Sequence, residues 1–217
     1  MGITAKETKP KELTPAGSHV ARCYKMMHYG HVPDTYMGEL KIVNIVRVDF
    51  ELPNEMRVFN EESGAQPMSI SKKYTLSLSD GANLRKDLES WRGEGFTKKQ
   101  LAGFDITKVI GAPCLISVIH KTSAKGNKYA MIASISPLVQ GMEAPPAINT
   151  TFIWDYENNF DLDILENLHD YYQNIIKSSE EYKDIVSVAD PDVQDVPMPN
   201  ENDLPEAEHN DNNDLPF

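Results

Sequence analysis

The sequence predicts a mainly β protein: a five-stranded barrel with one helix between its third and fourth strands. Three observations predict it. Residues 18–78 carry apolar and β-branched runs separated by Gly, Pro and Asp. The period of the apolar residues then changes once, from two to the three-to-four spacing of a helix, over "SDGANLRKDLESWRG". Two further runs, "APCLISVIHK" and "YAMIASISPL", close around a short hairpin loop, "TSAKGN".

Residues 1–17 are polar, with Pro10 and Pro15, and read as an arm ahead of the barrel. "HVARCYKMMHYG" is the first strand, and "LKIVNIVRVDFEL" the second. Between them "HYGHVPDTYMG", with Gly30, Pro33, Asp34 and Gly38, reads as a loop. In "SISKKYTLSL" the residues Ile70, Tyr74, Leu76 and Leu78 share one face, and Ser71, Lys73, Thr75 and Ser77 the other, as in a half-buried third strand. The helix that follows takes Ser79 or Asp80 as N-cap and Gly93 as C-cap, with Leu84, Leu88 and Trp91 as its apolar stripe. Trp91 is expected in the core. "TKKQLAGF" adds a helical turn. Five strands with a helix between the third and fourth is the connectivity of the OB-fold barrel. SH3-like barrels also have five strands but lack a full helix there.

The barrel is expected over residues 18–140. After Pro145–Pro146, "FDLDILENLHDYYQNIIKS" places Leu162, Leu165, His169, Tyr172 and Ile176 near one helical face with Asp161 as cap, and a short helical turn follows at Glu180–Ile185. Residues 141–186 therefore read as a helical extension, packing on the barrel or on a second copy of the chain. Residues 187–217 hold acids, Asn and Pro with almost no apolar period, a composition that buries too little to offset ordering entropy.

The formal net charge of −12 is the average of two unlike regions. Residues 1–138 carry 19 Lys and Arg against 14 Asp and Glu, a balance of +5; residues 139–217 carry 2 against 19, a balance of −17. A mildly basic body with an acidic tail suits a binder of polyanions. No apolar run is long enough to span a membrane. "MGITAKETKPKELTPAG" is neither a secretory signal nor a good myristoylation site, since Lys6 stands where Ser or Thr is wanted. Two cysteines far apart, Cys23 and Cys114, point to small buried hydrophobes and a reducing cytoplasm rather than a disulfide framework.

The chain contains no GxxxxGK[ST], HExxH, GxSxG or paired CxxC pattern. Cys23, His28 and His31 could supply three zinc ligands, but a fourth is absent nearby and the spacing fits no common site. The expectation is a protein without cofactor, metal or catalysis. The rival readings are a protein-only adaptor and a DNA-metabolism enzyme with an unrecognised site.

The body instead carries cations and aromatic residues at positions that suit single-stranded nucleic acid. Arg22 and Tyr24 lie on the first strand, Lys41 and Arg47 on the second, and Lys72, Lys73 and Tyr74 on the third. Lys121, Lys125 and Lys128 surround the hairpin tip with Tyr129 at its foot, and Tyr29, His31 and Tyr36 belong to the first loop. In OB-folds these two loops and the face of strands two and three hold oligonucleotides. Lysines track phosphates, and each base stacked on a ring gains about 1–3 kcal/mol. Against this, Tyr74 shares its face with core residues, and hairpin lysines are commonly just solvated.

The chain ends "NDNNDLPF", and "NDLP" also occurs at Asn202–Pro205, where Glu206 follows instead of Phe. This ending resembles the C-terminal tip of bacterial and phage single-stranded DNA-binding proteins, a few acids followed by Ile-Pro-Phe. Asp214, Pro216 and Phe217 match; Leu215 replaces the usual Ile, and Asn213 stands where an acid is usual. The body, above all "KKYTLSLSDGANLRKDLESWRG" and "IGAPCLISVIHKTSAKGNKYAMIASISPL", is similar to phage-encoded members of that family over about residues 17–185. The resemblance implies a protein that protects single strands in a bacterial cytoplasm and recruits replication, recombination or repair proteins through its tip. It implies that the Phe217 ring fills an apolar pocket on the partner and its carboxylate meets a cation there. It implies too that Asp211, Asp214 and the earlier acids steer the encounter while Leu215 and Pro216 complete the docking segment. It leaves homo-oligomerisation open.

Overall fold

The structure, a computed structural model, describes residues 12–36, 39–59, 61 and 63–189. It is mainly β. Six strands, β1 (Gly17–Tyr36), β2 (Glu39–Val58), β3 (Ala65–Thr75), β4 (Pro113–Thr122), β5 (Lys128–Ser136) and β6 (Phe152–Trp154), form one sheet. The hydrogen-bonded order is β3-β2-β1-β4-β5, all neighbours antiparallel, and the short β6 joins β1 in parallel. Helix α1 (Asn83–Arg92) lies between β3 and β4, followed by α2 (Lys98–Leu101) and a 3₁₀ turn at Ile106–Val109. After β6 come α3 (Leu162–Glu166), α4 (Asp170–Lys177) and α5 (Glu180–Ala189).

The expected closed barrel is not closed. β3 and β5, the two ends of the ladder, touch without hydrogen-bonding to each other. Helix α1 packs on both. Ser90 Oγ donates to Ile135 O (2.6 Å) on β5, Trp91 Nε1 donates to Pro113 O (2.9 Å), and Asp87 receives Tyr74 Oη (2.7 Å) and pairs with Lys72 Nζ (2.8 Å), both on β3. A helix, rather than a ladder, spans the gap. Its stripe is as expected, with Leu84, Leu88 and Trp91 buried and Gly93 closing it at φ +69°. Its N-cap is Ala82, with no side-chain bond, rather than Ser79 or Asp80.

β1 belongs to two cores. Ala21, Cys23 and Met26 face the inner one, with Val46, Val48, Phe50 and Leu52 of β2, Ile70 of β3, and Cys114, Ile116 and Val118 of β4. Met27, Tyr29 and Val32 face a second core, with Trp154, Leu165 and Ile176 of the C-terminal layer. Irregularities between Cys23 and Lys25 and between His28 and Gly30 shift the alternation, as bulges do. That broken period is why the first strand reads shorter than it is. Residues 28–36 are strand, not loop: Pro33 pairs with Ile42 where β1 has no other neighbour, an edge position that tolerates proline. Both cysteines are buried and free, and burial pushes both thiols up.

The extension also differs from expectation. The helix expected over 161–177 is two helices. Asp161 caps the first, accepting from the N–H of Asp163 (2.8 Å) and Ile164 (3.2 Å), and His169 caps the second, accepting from Tyr171 N–H (3.2 Å). Leu162, placed on the buried face by its spacing, is exposed. The turn at 180–185 extends to Ala189. No described helix is long and apolar enough to cross a membrane.

Candidate nucleic-acid interface

Alternation on β2 sends Val46, Val48, Phe50 and Leu52 inward, so Arg47, Asp49 and Glu51 face the other way. That outer face is covered by the chain's own residues 148–172. Arg47, 8% exposed, binds Asp49 Oδ1 and Tyr172 Oη (both 2.5 Å) and stacks over the Tyr172 ring at 4.7 Å. The fully buried Glu51 accepts from the N–H groups of Ile148 (3.1 Å) and Asn149 (2.7 Å). Lys73 donates to Tyr171 Oη (2.9 Å) over the same ring, and Lys25 lies over Phe152 (5.4 Å) and Tyr172 (5.9 Å). Buried charges are tolerated only when paired or hydrogen-bonded: Arg47 pairs with Asp49, and Glu51 is met by two backbone N–H groups.

The layer is not a loose cover. Trp154, Leu165, Ile176, Met27 and Tyr29 are essentially inaccessible. At about 1.5–3 kcal/mol each, exposing such side chains costs on the order of 10 kcal/mol, as much as a domain's whole stability.

The residues singled out from sequence thus fall into separate places. Arg47 and Lys73 meet on one face, but beneath the extension. Lys72 and Tyr74 point inward, and burial holds the Tyr74 phenol well above its ordinary value, with the adjoining Asp87 adding to the shift. Tyr29 belongs to the second core, and Tyr129 is buried at the foot of its hairpin. Tyr24 is half-buried; burial and then Asp49 raise its phenol. Arg22 donates to Gly111 O (2.6 Å) and Pro145 O (2.7 Å), tying two loops together. His31 is held by Glu181 (2.6 Å). Arg22, Arg47 and Lys72, expected on phosphates, and Tyr29, Tyr74 and Tyr129, expected beneath bases, are instead each packed or bonded inside the protein. Tyr36 ends β1, and its side chain lies outside the described residues, as do Asp211, Asp214, Leu215, Pro216 and Phe217.

Of the cations expected to contact DNA, those left on an open surface are Lys41, 3.6 Å from Glu39, and the hairpin trio. Lys125 and Lys128 are exposed, Lys121 is half-buried, and none makes an ion pair among the described residues. The tip is ordered by Ser123 N–H to Asn127 O (2.8 Å) and Gly126 N–H to Ser123 O (2.9 Å), with Gly126 at φ +87°. The lysines therefore stand around a defined turn. The sequence placed Tyr172 on a helix face packing on the barrel but did not pair it with Arg47, and it gave no role to Tyr171 or Lys25. The signal was present: Asp49 and Glu51 alternate with Arg47 on one face, and two acids there repel phosphate.

Among the described residues no group of three or more His, Cys, Asp or Glu could hold a metal ion. Compared with known proteins, the chain matches no family model and no curated protein.

Proposed function

We propose that the chain binds single-stranded DNA without strong sequence preference and recruits replication or recombination proteins through its Asp214–Phe217 segment. The observation that carries the first part is the β4–β5 hairpin: three lysines with no ion pair among the described residues around an ordered turn, on a sheet of order β3-β2-β1-β4-β5 with a helix between β3 and β4. That order supports an OB-fold reading, with α1 in place of the β3–β5 ladder, and the fourth-to-fifth-strand loop is a nucleic-acid contact in such barrels. The basic body supports a phosphate-tracking mode, in which each contact releases counterions and single-strand affinity falls with salt by about 0.7 in slope per contact. The acidic segment carrying Phe217 supports docking, an aromatic anchor steered by charge.

A protein-only adaptor is favoured by a different observation, the covering of the β1–β2–β3 outer face by the C-terminal layer. Titrating full-length protein with oligo-dT at two salt concentrations separates the two. Salt-dependent binding supports the first reading; no binding at low salt supports the adaptor.

A further inference from the structure

The segment from α1 through the 3₁₀ turn carries a second basic surface, away from the hairpin. Lys86, Lys98, Lys99 and Lys108 are exposed and make no ion pair among the described residues. Every carboxylate of that segment is engaged. Asp87 pairs with Lys72 (2.8 Å), Glu89 with Arg85 (3.0 Å) and Glu94 with Arg92 (2.5 Å), while Asp105 accepts from Thr107 N–H (3.0 Å). Asp80, just upstream, lies 3.6 Å from Arg85.

Aromatic rings stand among these cations. Phe96 and Phe104, both half-buried, meet edge to face at 5.0 Å. The Arg92 guanidinium lies over both, at 4.5 and 5.2 Å, and Lys108 approaches Phe104 at 5.8 Å. Arg92 Nη1 is buried with no hydrogen-bond partner among the described residues. The Thr97–Gln100 capping box, immediately after Phe96, fixes the turn that carries Lys98 and Lys99. The platform is cationic and aromatic together, whereas a surface for acidic peptides needs only the charge.

The geometry points to this surface as a second contact for single-stranded nucleic acid, with Lys98, Lys99 and Lys108 on phosphates and the Arg92–Phe96–Phe104 stack beneath a base. The inference rests on the single-strand reading above. α1 is anchored to Pro113 at the start of β4, and the hairpin lies at that strand's far end. The ten residues of β4 extend over roughly 30 Å, so a long strand reaches from one end to the other.

The test uses the full chain and an oligo-dT of about 40 nucleotides, well beyond the ~4–16 that one OB-fold spans. Salt slopes are measured for wild type, K98A/K99A/K108A, K121A/K125A/K128A and the sixfold variant, with Lys→Gln sets as a check that the side-chain stems are not what matters. Each triple is expected to lower the slope by about 2, and the sixfold by about 4. If the helix-side triple keeps the wild-type slope while the hairpin triple loses its share, the second contact is wrong and the single-strand reading stands. If wild type binds no oligo-dT, both fail together. An equal loss of slope on duplex of the same length overturns the single-strand assignment of this surface.

Discussion

The carboxylate of Glu181, on α5, occupies the space where a side chain on Gly30 of β1 would stand. It is held there by His31, through the backbone N–H (2.7 Å) and ring Nδ1 (2.6 Å). Gly30 sits at φ +84°, and an added Cβ would also meet the Tyr156 ring at 2.9 Å. Gly30→Ala therefore combines left-handed strain with a collision at the root of the C-terminal layer. The expected outcome is a lower melting temperature and faster amide exchange in α5, with the inner core less affected. Exchange rates in α5 equal to wild type would show that the layer does not hang on this contact.

The same carboxylate gives a pH dependence. Burial opposes ionisation of Glu181, but the bonds from His31 outweigh it, and its pKa is lowered from the ordinary 4.5. A lowered carboxylate contributes stability that is present above 4.5 and is lost as pH falls through its folded value. Melting temperatures of wild type and Glu181→Gln should differ at neutral pH and converge as pH drops below the ordinary carboxylate value. A constant difference across that window would remove Glu181 titration from the account.

The Lys72–Asp87–Tyr74 group closes the side of the sheet that has no ladder. Its cation and carboxylate are 7% and 17% exposed, so removing one partner strands a mostly buried charge. Asp87→Asn is expected to cost about 3–5 kcal/mol by urea denaturation, and an apolar double replacement much less. A cost under about 1 kcal/mol would mean that water reaches Lys72 freely.

Much of this architecture was legible because period and punctuation agree. Leu84, Leu88, Trp91 and Gly93 announce α1, and Gly126 announces the hairpin. The β1–β2 ribbon was not legible, because two bulges break the alternation and Gly30, Pro33 and Asp34 mimic a loop. The site was legible only in part. Spacing tells which residues share a strand face, but not that a later helix covers it. Arg47, Lys73 and the Tyr171–Tyr172 pair are about a hundred residues apart in the chain, and single-sequence periodicity does not link them.

That covering separates the lysines by experiment. Lys73→Met should cost about 0.5–1 kcal/mol of stability through the lost Tyr171 contact, yet leave the salt slope for oligo-dT unchanged. Changing Lys121, Lys125 and Lys128 together to Ala should do the reverse, with an unchanged melting temperature and a slope lower by about 2. A slope that falls with Lys73 would mean that DNA displaces α4 from the sheet, against its burial.

The acidic segment yields the last prediction. The buried side chains of both cores lie between Ala21 and Ile176, so deleting Asp214–Phe217 leaves them whole and the melting temperature unchanged. Oligo-dT affinity should stay the same or rise slightly, since one negative charge is removed. Capture of replication or recombination proteins should collapse. Phe217→Ala alone should do most of the damage, because one aromatic anchor commonly carries at least about 2 kcal/mol of an interface, a loss of roughly 30-fold in affinity. The internal "NDLPE" at Asn202–Glu206 should not compensate, having no ring. A pull-down with full-length, truncated and Phe217→Ala protein, quantified against single-strand-processing enzymes, checks this. Equal recovery by all three would leave the segment a solubilising appendage and confine the protein's activity to its folded body.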